Sequence, residues 1–254
     1  MKCIVLAAGY ATRLYPLTEN FPKPLLKVGE KSIVDWLIDD IRTSGEVDQF
    51  IVISNHKFVH HFTEWAAGKA DVAVVDDGTS TNETRLGAVR DMQFAIDALR
   101  LHDDLLVIAG DNVLDFSLCR FIAYAEEKKT SCTMRYWEED EKKLRKAGVA
   151  EINEDEAILS FEEKPEKPKT NWCTPPFYIY TAEDAGKIKD AIADGCGTDA
   201  PGSLVGWMCR HSTMHSMEMP GKRYDIGDLE SYRMVQERYE GVIGDRAAAK
   251  LLRE

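Results

Sequence analysis

No apolar run in the chain approaches the length of a membrane span, and the apolar stretch at its start is too short for a secretory leader. A soluble cytoplasmic protein without a membrane partner is therefore expected. The six cysteines, Cys3, Cys119, Cys132, Cys173, Cys196 and Cys209, form no C-x-x-C pair, and several lie in apolar runs. That pattern fits reduced core thiols. Positive charge is in short supply: 32 Lys and Arg stand against 44 Asp and Glu, a formal net charge of −12. The balance argues against nucleic acid or an anionic membrane as the main partner, and any anionic substrate needs a local basic site. Repeats, low-complexity tracts and linkers are missing too. The 254 residues, 44% hydrophobic, are read as a single domain, 1–254.

The first turn lacks G-x-G-x-x-G and G-K-[ST], which sets aside a dinucleotide-dependent oxidoreductase and a P-loop NTPase. What the turn does contain is more specific. Cys3 to Leu6 is a continuous apolar run suited to a buried strand, and Leu6, Ala7, Ala8, Gly9, Tyr10, Ala11, Thr12 and Arg13 follow. The small residues allow close approach of a ligand, and Gly9 is free to take positive φ so that successive amides converge on an anion. Arg13 adds a planar fork suited to phosphate. Lys23, between Pro22 and Pro24, adds a point charge on a restricted backbone.

Strand and helix alternate from there. Ser32 caps a helix that closes at Gly45, Phe50 to Ser54 is a strand, Lys57 to Ala67 a helix closed by Gly68, and Val72 to Val75 a strand. Leu86 to Leu99 is helical, Leu105 to Ala109 a strand, and Ser117 to Glu127 helical again. Such alternation predicts an α/β fold with a doubly wound, mostly parallel sheet. After Thr130 the segments shorten: Cys132 to Trp137, Gly148 to Ile152, Ile158 to Phe161 and Phe177 to Tyr180 read as strands of a mixed sheet. Glu183 to Ala193, Ser203 to His211 and Asp228 to Arg238 read as helices, with the strand Thr213 to Met219 between the last two. The charged run Glu138 to Lys146 reads as a solvated helix.

Two carboxylates belong with the turn. Asp111 follows the strand Leu105 to Ala109 and should project from the carboxyl edge of the sheet, where open α/β folds bind ligands. Asp225, in Arg223-Tyr224-Asp225-Ile226-Gly227, is the second. One or two carboxylates completed by substrate phosphates and water are what Mg²⁺ takes. His56 and His60 are four apart, but with no acidic or cysteine partner in register they are not read as a metal site; Asn55 and His56 are placed on the nucleotide side.

Leu6 to Leu26 resembles the signature of the sugar-phosphate nucleotidyltransferases, L-A-A-G-x-G-T-R-L-x-P-L-T followed by P-K-P-L, as in the glucose-1-phosphate thymidylyltransferases. Ala11 departs from it, standing where the family has its second glycine; because alanine disfavours positive φ, a slightly reshaped turn is expected. Gly110-Asp111-Asn112 and Asp225-Ile226-Gly227 are similar to the family's two metal motifs. Phe161-Glu162-Glu163-Lys164-Pro165 is similar to its F-x-E-K-P.

The resemblance implies a Rossmann-like, three-layer α/β/α nucleotidyltransferase fold, with 1–130 binding nucleotide, 131–240 binding acceptor and 241–254 as a tail. It implies an Mg²⁺-dependent transfer of a nucleoside monophosphate from a triphosphate to a sugar 1-phosphate, with pyrophosphate released. Arg13, Lys23, Asp111, Lys164 and Asp225 would be catalytic, with Asp111 and Asp225 holding the metal. Asn82, Arg85, Gly87 and Gly110 join the turn on the nucleotide, and Asn112, Glu163 and Lys164 hold the acceptor. The chain ends too soon after its last helix for the left-handed β-helix domain of some relatives, so a second, acyltransferase activity is not expected. Pro175, Pro176 and Trp172 keep an alternative open: a cytidylyltransferase for phosphocholine or an aminoalkyl phosphonate, whose ammonium would sit against aromatic faces. A silent nucleotide-binding regulator is the alternative of another class. Base identity and self-association into a homo-oligomer are left open.

Overall fold

The computed structural model describes residues 1–242; the remainder of the expected tail, 243–254, lies outside the described residues. The chain forms two compact units that interleave in sequence. The first takes Met1–Leu6, Leu86–Ile108 and Ala123–Met219. Its sheet runs in the order Ile158–Glu163, Gly148–Ile152, Trp172–Thr174, Ser131–Trp137, Phe177–Tyr180, Leu105–Ala109, Lys2–Leu6. Met214–Glu218 lies parallel to Ser131–Trp137, while Phe177–Tyr180 runs antiparallel to both its neighbours, so the sheet is mixed.

The second unit takes Ala7–Arg85, Ala109–Ile122 and the chain from Pro220. Gln49–Ser54 and Val72–Asp76 pair in parallel, bringing Ser54 level with Asp76 at their carboxyl ends. The helix Ile33–Arg42 begins where the Ser32 hydroxyl accepts the Asp35 N–H at 3.2 Å. It buries Ile33, Val34, Leu37, Ile38 and Ile41 along one face, each such side chain contributing roughly 1.5–3 kcal/mol relative to exposure. Gly45 then takes φ +74°, the left-handed turn that ends helices. A two-stranded antiparallel ribbon pairs Asn112–Leu114 with Arg223–Asp225.

Some expectations change. The helix expected over Glu183 to Ala193 is two pieces, Ala182–Ala185 and Ile188–Ala193, parted at Gly186-Lys187. Of the charged run Glu138 to Lys146 only Glu141–Leu144 is helical, because a solvated segment with one buried apolar residue, Leu144, has little packing to hold it. Trp172–Thr174 is an unanticipated strand, too short to show periodicity but paired on both sides. None of the six cysteines forms a disulfide. No helix among the described residues is long and apolar enough to cross a membrane.

Candidate active site

Strand Lys2–Leu6 delivers the turn at its carboxyl end. Ala7 is still tied to the neighbouring strand, its N–H donating to the Ile53 carbonyl at 2.9 Å, so its amide does not face outward. The N–H groups from Ala8 to Arg13 have no protein acceptor among the described residues. A run of unpaired backbone donors is the kind of feature from which anion-binding concavities are built.

The backbone geometry corrects the expectation about the glycine. Gly9 is exposed and is not left-handed, whereas Ala11 is, at φ +46° and ψ +43°. Ala11 therefore adopts a conformation that glycine takes most readily, at a steric cost of roughly 1–2 kcal/mol. The surroundings hold it there: the Thr18 hydroxyl donates to the Ala11 carbonyl at 2.8 Å, and Leu14 N–H donates to the same oxygen at 2.9 Å. A Cβ on Gly9 would meet no protein atom within 4 Å. Neither its backbone nor its surroundings among the described residues requires glycine there.

Asn55, fully buried, fixes the turn from below. Its Nδ2 donates to the Ala8 carbonyl at 2.9 Å, and its Oδ1 accepts the Phe58 N–H at 3.0 Å. Asn55→Ala should cost about 2–3 kcal/mol, because a buried carbonyl and a buried N–H both lose their partners. Chemical denaturation would measure it, and a cost below about 1 kcal/mol would mean that water replaces both bonds. Tyr10 is likewise buried, its hydroxyl 3.4 Å from the Thr79 carbonyl, so it offers a ligand its backbone and not its ring.

Lys23 and Asp111 meet. Lys23 Nζ donates to Asp111 Oδ2 at 2.8 Å, with the lysine side chain 7% and the aspartate 41% exposed. The Asn112 amide donates to Asp111 Oδ1 at 2.8 Å, and Arg223 Nη1 donates to Asn112 Oδ1 at 2.7 Å. Arg223 Nη1 also lies 3.8 Å from Asp225 Oδ2. Ribbon register sets Asp225 opposite Asn112, so the second carboxylate stands one residue from the first across two strands. Arg13 reaches the same end: its Nη1 is 3.8 Å from where a Cβ on Gly227 would stand. Asn112, expected to hold acceptor, is 1% exposed with both amide atoms engaged, and its side chain orients Asp111 and Arg223. Arg223 joins this cluster through Asn112 and Asp225, and sequence reasoning did not single it out although it opens the quoted Asp225 motif.

Among the described residues no group of three or more His, Cys, Asp or Glu could hold a metal. Two outward carboxylates nevertheless suit a cation that draws its remaining ligands from phosphate oxygens and water. His56 is part of no histidine cluster: its Nδ1 lies 2.6 Å from Asp76 Oδ2, and that bond raises the imidazole pKa.

The segment after Val72–Asp76 begins with Asp77, 6% exposed. Asn82 and Arg85 are exposed, and Arg85 Nη1 donates to the Asn82 carbonyl at 2.9 Å. Burial raises the Asp77 carboxyl above its ordinary value, outweighing two bonds from Thr79 that lower it. The folded protein therefore holds this proton more tightly than the unfolded chain, so the contribution of Asp77 to stability falls as pH rises from the ordinary carboxylate range through the raised value. Asp77→Asn should remove that slope and stabilise the protein at neutral pH. Denaturation midpoints at pH 4 and pH 7 would check it, and an unchanged difference between them would refute it.

Gly87, Glu163 and Lys164 belong to the first unit. Gly87, at φ +88°, is packed against Thr198 and Asp199. Lys164 follows the strand Ile158–Glu163 with φ +50°, its N–H bonded to the Ala147 carbonyl at 3.0 Å, and its side chain is exposed. A left-handed lysine at a strand end is backbone strain of the kind kept at binding sites. Glu163 is half-buried; desolvation raises its carboxyl and Lys164 partly offsets this. Gly202 leaves room for that carboxylate, which a Cβ there would strike.

The molecule is thus an α/β protein whose first turn offers unpaired backbone donors, with a Lys–Asp pair and an acidic ribbon in the same unit. Residues 2–241 match the nucleotidyl transferase family, and the chain belongs to it. A glucose-1-phosphate thymidylyltransferase of Mycolicibacterium smegmatis is 30% identical over 71% of this chain and 61% of its own. A UTP–glucose-1-phosphate uridylyltransferase of Haloferax volcanii is 25% identical over 94% and 97%. The chain spans only 50% and 61% of the length of two other curated relatives. In fold it matches a UDP-glucose pyrophosphorylase solved with UDP-glucose, at a TM-score of 0.77 and 18% identity over 94% and 97% of the two chains.

Proposed function

We propose that this protein transfers a nucleoside monophosphate from a triphosphate to a sugar 1-phosphate, releasing pyrophosphate, in the cytoplasm and with Mg²⁺. One nucleotidyltransferase domain, with 1–130 serving the nucleotide and 131–240 the acceptor, would carry the reaction. The observation that carries the reading is the run of unpaired amides from Ala8 to Arg13 in the unit that holds the Lys23–Asp111 pair.

The chemistry follows from charge. A phosphomonoester has its second pKa at about 6, so the acceptor oxygen is already a nucleophile at neutral pH and needs no general base. The work is to bring two polyanions together and to neutralise charge on the transferring phosphoryl group. The turn amides and Arg13 would bind triphosphate oxygens, and Lys23 would neutralise them. Lys164 would hold the incoming phosphate, with Glu163 on the sugar. Asp111 and Asp225 would hold Mg²⁺, which when bound supplies positive charge at the α-phosphate.

A second reading, CMP transfer to a phosphocholine-like or aminophosphonate acceptor, is favoured by one observation. Trp137 is 54% exposed and meets Trp172 edge-on at 5.1 Å; the Arg135 guanidinium already lies over the Trp172 ring at 5.0 Å, so the exposed Trp137 ring is the aromatic surface left to an ammonium group. Pyrophosphate release with Mg²⁺, crossing dTTP, UTP, CTP and GTP with hexose 1-phosphates, phosphocholine and 2-aminoethylphosphonate, tests both. Release with a hexose 1-phosphate supports the first reading, and release only with CTP and an amino acceptor supports the second. Binding without release across the panel would favour a regulatory protein.

A further inference from the structure

Arg13, Lys23, Asp111 and Asp225 come from separate stretches of the second unit, and one apolar cluster gathers a neighbour of each. Its buried members include Leu14, next to Arg13; Leu26, whose N–H donates to the Lys23 carbonyl at 3.0 Å; Val113, close after Asp111; and Ile226, next to Asp225. Tyr232 and Val235 join them from the helix Leu229–Arg238.

That helix is tied to three of the four stretches. Asp228 caps it just after the Asp225 motif, its carboxylate accepting the Ser231 N–H at 2.8 Å while the Ser231 hydroxyl accepts the Asp228 N–H at 3.0 Å. Tyr232 donates its hydroxyl proton to the carbonyl of Lys27, on the chain leaving Lys23, at 2.7 Å. Gln236 Nε2 supports this bond, 3.0 Å from the hydroxyl and 3.3 Å from the carbonyl. Tyr239, one residue past the helix, donates to the Leu114 carbonyl at 2.8 Å, on the ribbon strand that follows Asp111. Its ring also meets Tyr224, the neighbour of Asp225, edge-on at 6.0 Å.

The two phenol bonds span 205 and 125 residues of chain, so they build no local structure. What they fix is the distance between the segments they join. Lys23 and Asp111 hold each other directly, whereas the Asp225 side chain is 59% exposed and lies 3.8 Å from Arg223, so its place beside that pair is set by backbone. A misplacement of about 1 Å in a group that stabilises the transition state can cost on the order of 100-fold in rate.

We infer that the helix Leu229–Arg238 is the brace that sets Lys23, Asp111 and Asp225 at their working spacing, with Tyr232 and Tyr239 as positioning residues that act through the Lys27 and Leu114 carbonyls. This rests on the proposed transfer reaction and adds to it the part of the chain that keeps its groups in register.

The test compares wild type with Tyr232→Phe, Tyr239→Phe, the double variant and, as a control, Leu37→Ala. Phenylalanine keeps each ring and removes only the hydroxyl, so the apolar cluster stays filled. Leu37 is buried in the helix Ile33–Arg42, in the same unit but outside that cluster, and its truncation opens a cavity without touching either bond. Urea denaturation, triphosphate affinity by calorimetric titration, and kcat and KM for pyrophosphate release are read on each, with the wild type's best substrate pair. Each single phenylalanine variant should lower kcat about tenfold and the double variant about 100-fold, with triphosphate Kd and KM within about twofold of wild type. Leu37→Ala should lose more stability than either single variant and keep its kcat. If the double variant does not fold, the single variants decide. A kcat within about twofold of wild type in the phenylalanine variants, a weakened affinity in place of a lowered kcat, or an equal fall of kcat in Leu37→Ala would overturn the brace while the transfer reaction stands. Wild-type protein that binds triphosphate but releases no pyrophosphate with any pair would overturn the reaction and the brace with it.

Discussion

Asp111→Asn is expected to cut turnover about 100- to 1,000-fold, the scale seen when one charge-stabilising group is lost from a transfer site. It should also destabilise the fold. Lys23 Nζ is nearly enclosed, and without Asp111 it keeps its charge and loses its anion. Removing one partner of a fully buried pair costs about 3–5 kcal/mol, but this aspartate is 41% exposed, so a loss nearer about 1–2 kcal/mol is expected after solvent screening. Lys23→Met should lose turnover to a similar degree with a smaller stability cost, because water can solvate the half-exposed carboxylate and the methionine fills an enclosed slot. Pyrophosphate release and urea denaturation on the two variants give both quantities. Turnover above a tenth of wild type in Asp111→Asn would remove Asp111 from the catalytic set.

Gly87→Ala should destabilise the protein by about 3 kcal/mol, which for a chain of this size is a fall in Tm of roughly 6–12 °C. Two effects combine. The backbone is left-handed at φ +88°, and a Cβ would lie 2.5 Å from the Thr198 carbonyl oxygen and 2.9 Å from the Asp199 Cα, both backbone atoms that cannot swing aside. The helix Ala88–Leu99 starts on that same strand of chain, with Ala88 and Val89 donating to the Asp199 and Thr198 carbonyls at 3.2 and 3.0 Å. Gly87 is thereby explained by packing, whatever its relation to a base. Gly9→Ala is the contrast: its backbone is not left-handed and its surroundings are open, so stability should hold and any loss should fall on nucleotide affinity. Thermal denaturation alongside nucleotide titration separates the two, and equal losses of stability at both positions would show the contrast to be mistaken.

Much of this was legible in the amino-acid sequence because it is local. The apolar run Cys3 to Leu6 is the core of a strand, Ser32 caps its helix, and Asp228 begins the helix Leu229–Arg238 with a reciprocal bond to Ser231. Each depends on residues a few positions apart, where apolar period, capping chemistry and glycine carry the information. The position of Asp111 at the end of a strand was local in the same way. The use to which side chains are put was not. That Ala7 spends its amide on Ile53, that Asn112 is buried between Asp111 and Arg223, and that Asp225 stands opposite Asn112 all follow from which strands pair and in what register. Only tertiary structure decided that Ala11 is the left-handed residue of the turn, since the Thr18 hydroxyl and Leu14 N–H hold its carbonyl. It alone also left Asp77 buried with an oxygen unmet. A residue's type fixes what it can donate or accept, but whether it finds a partner depends on chain brought in from far along the sequence.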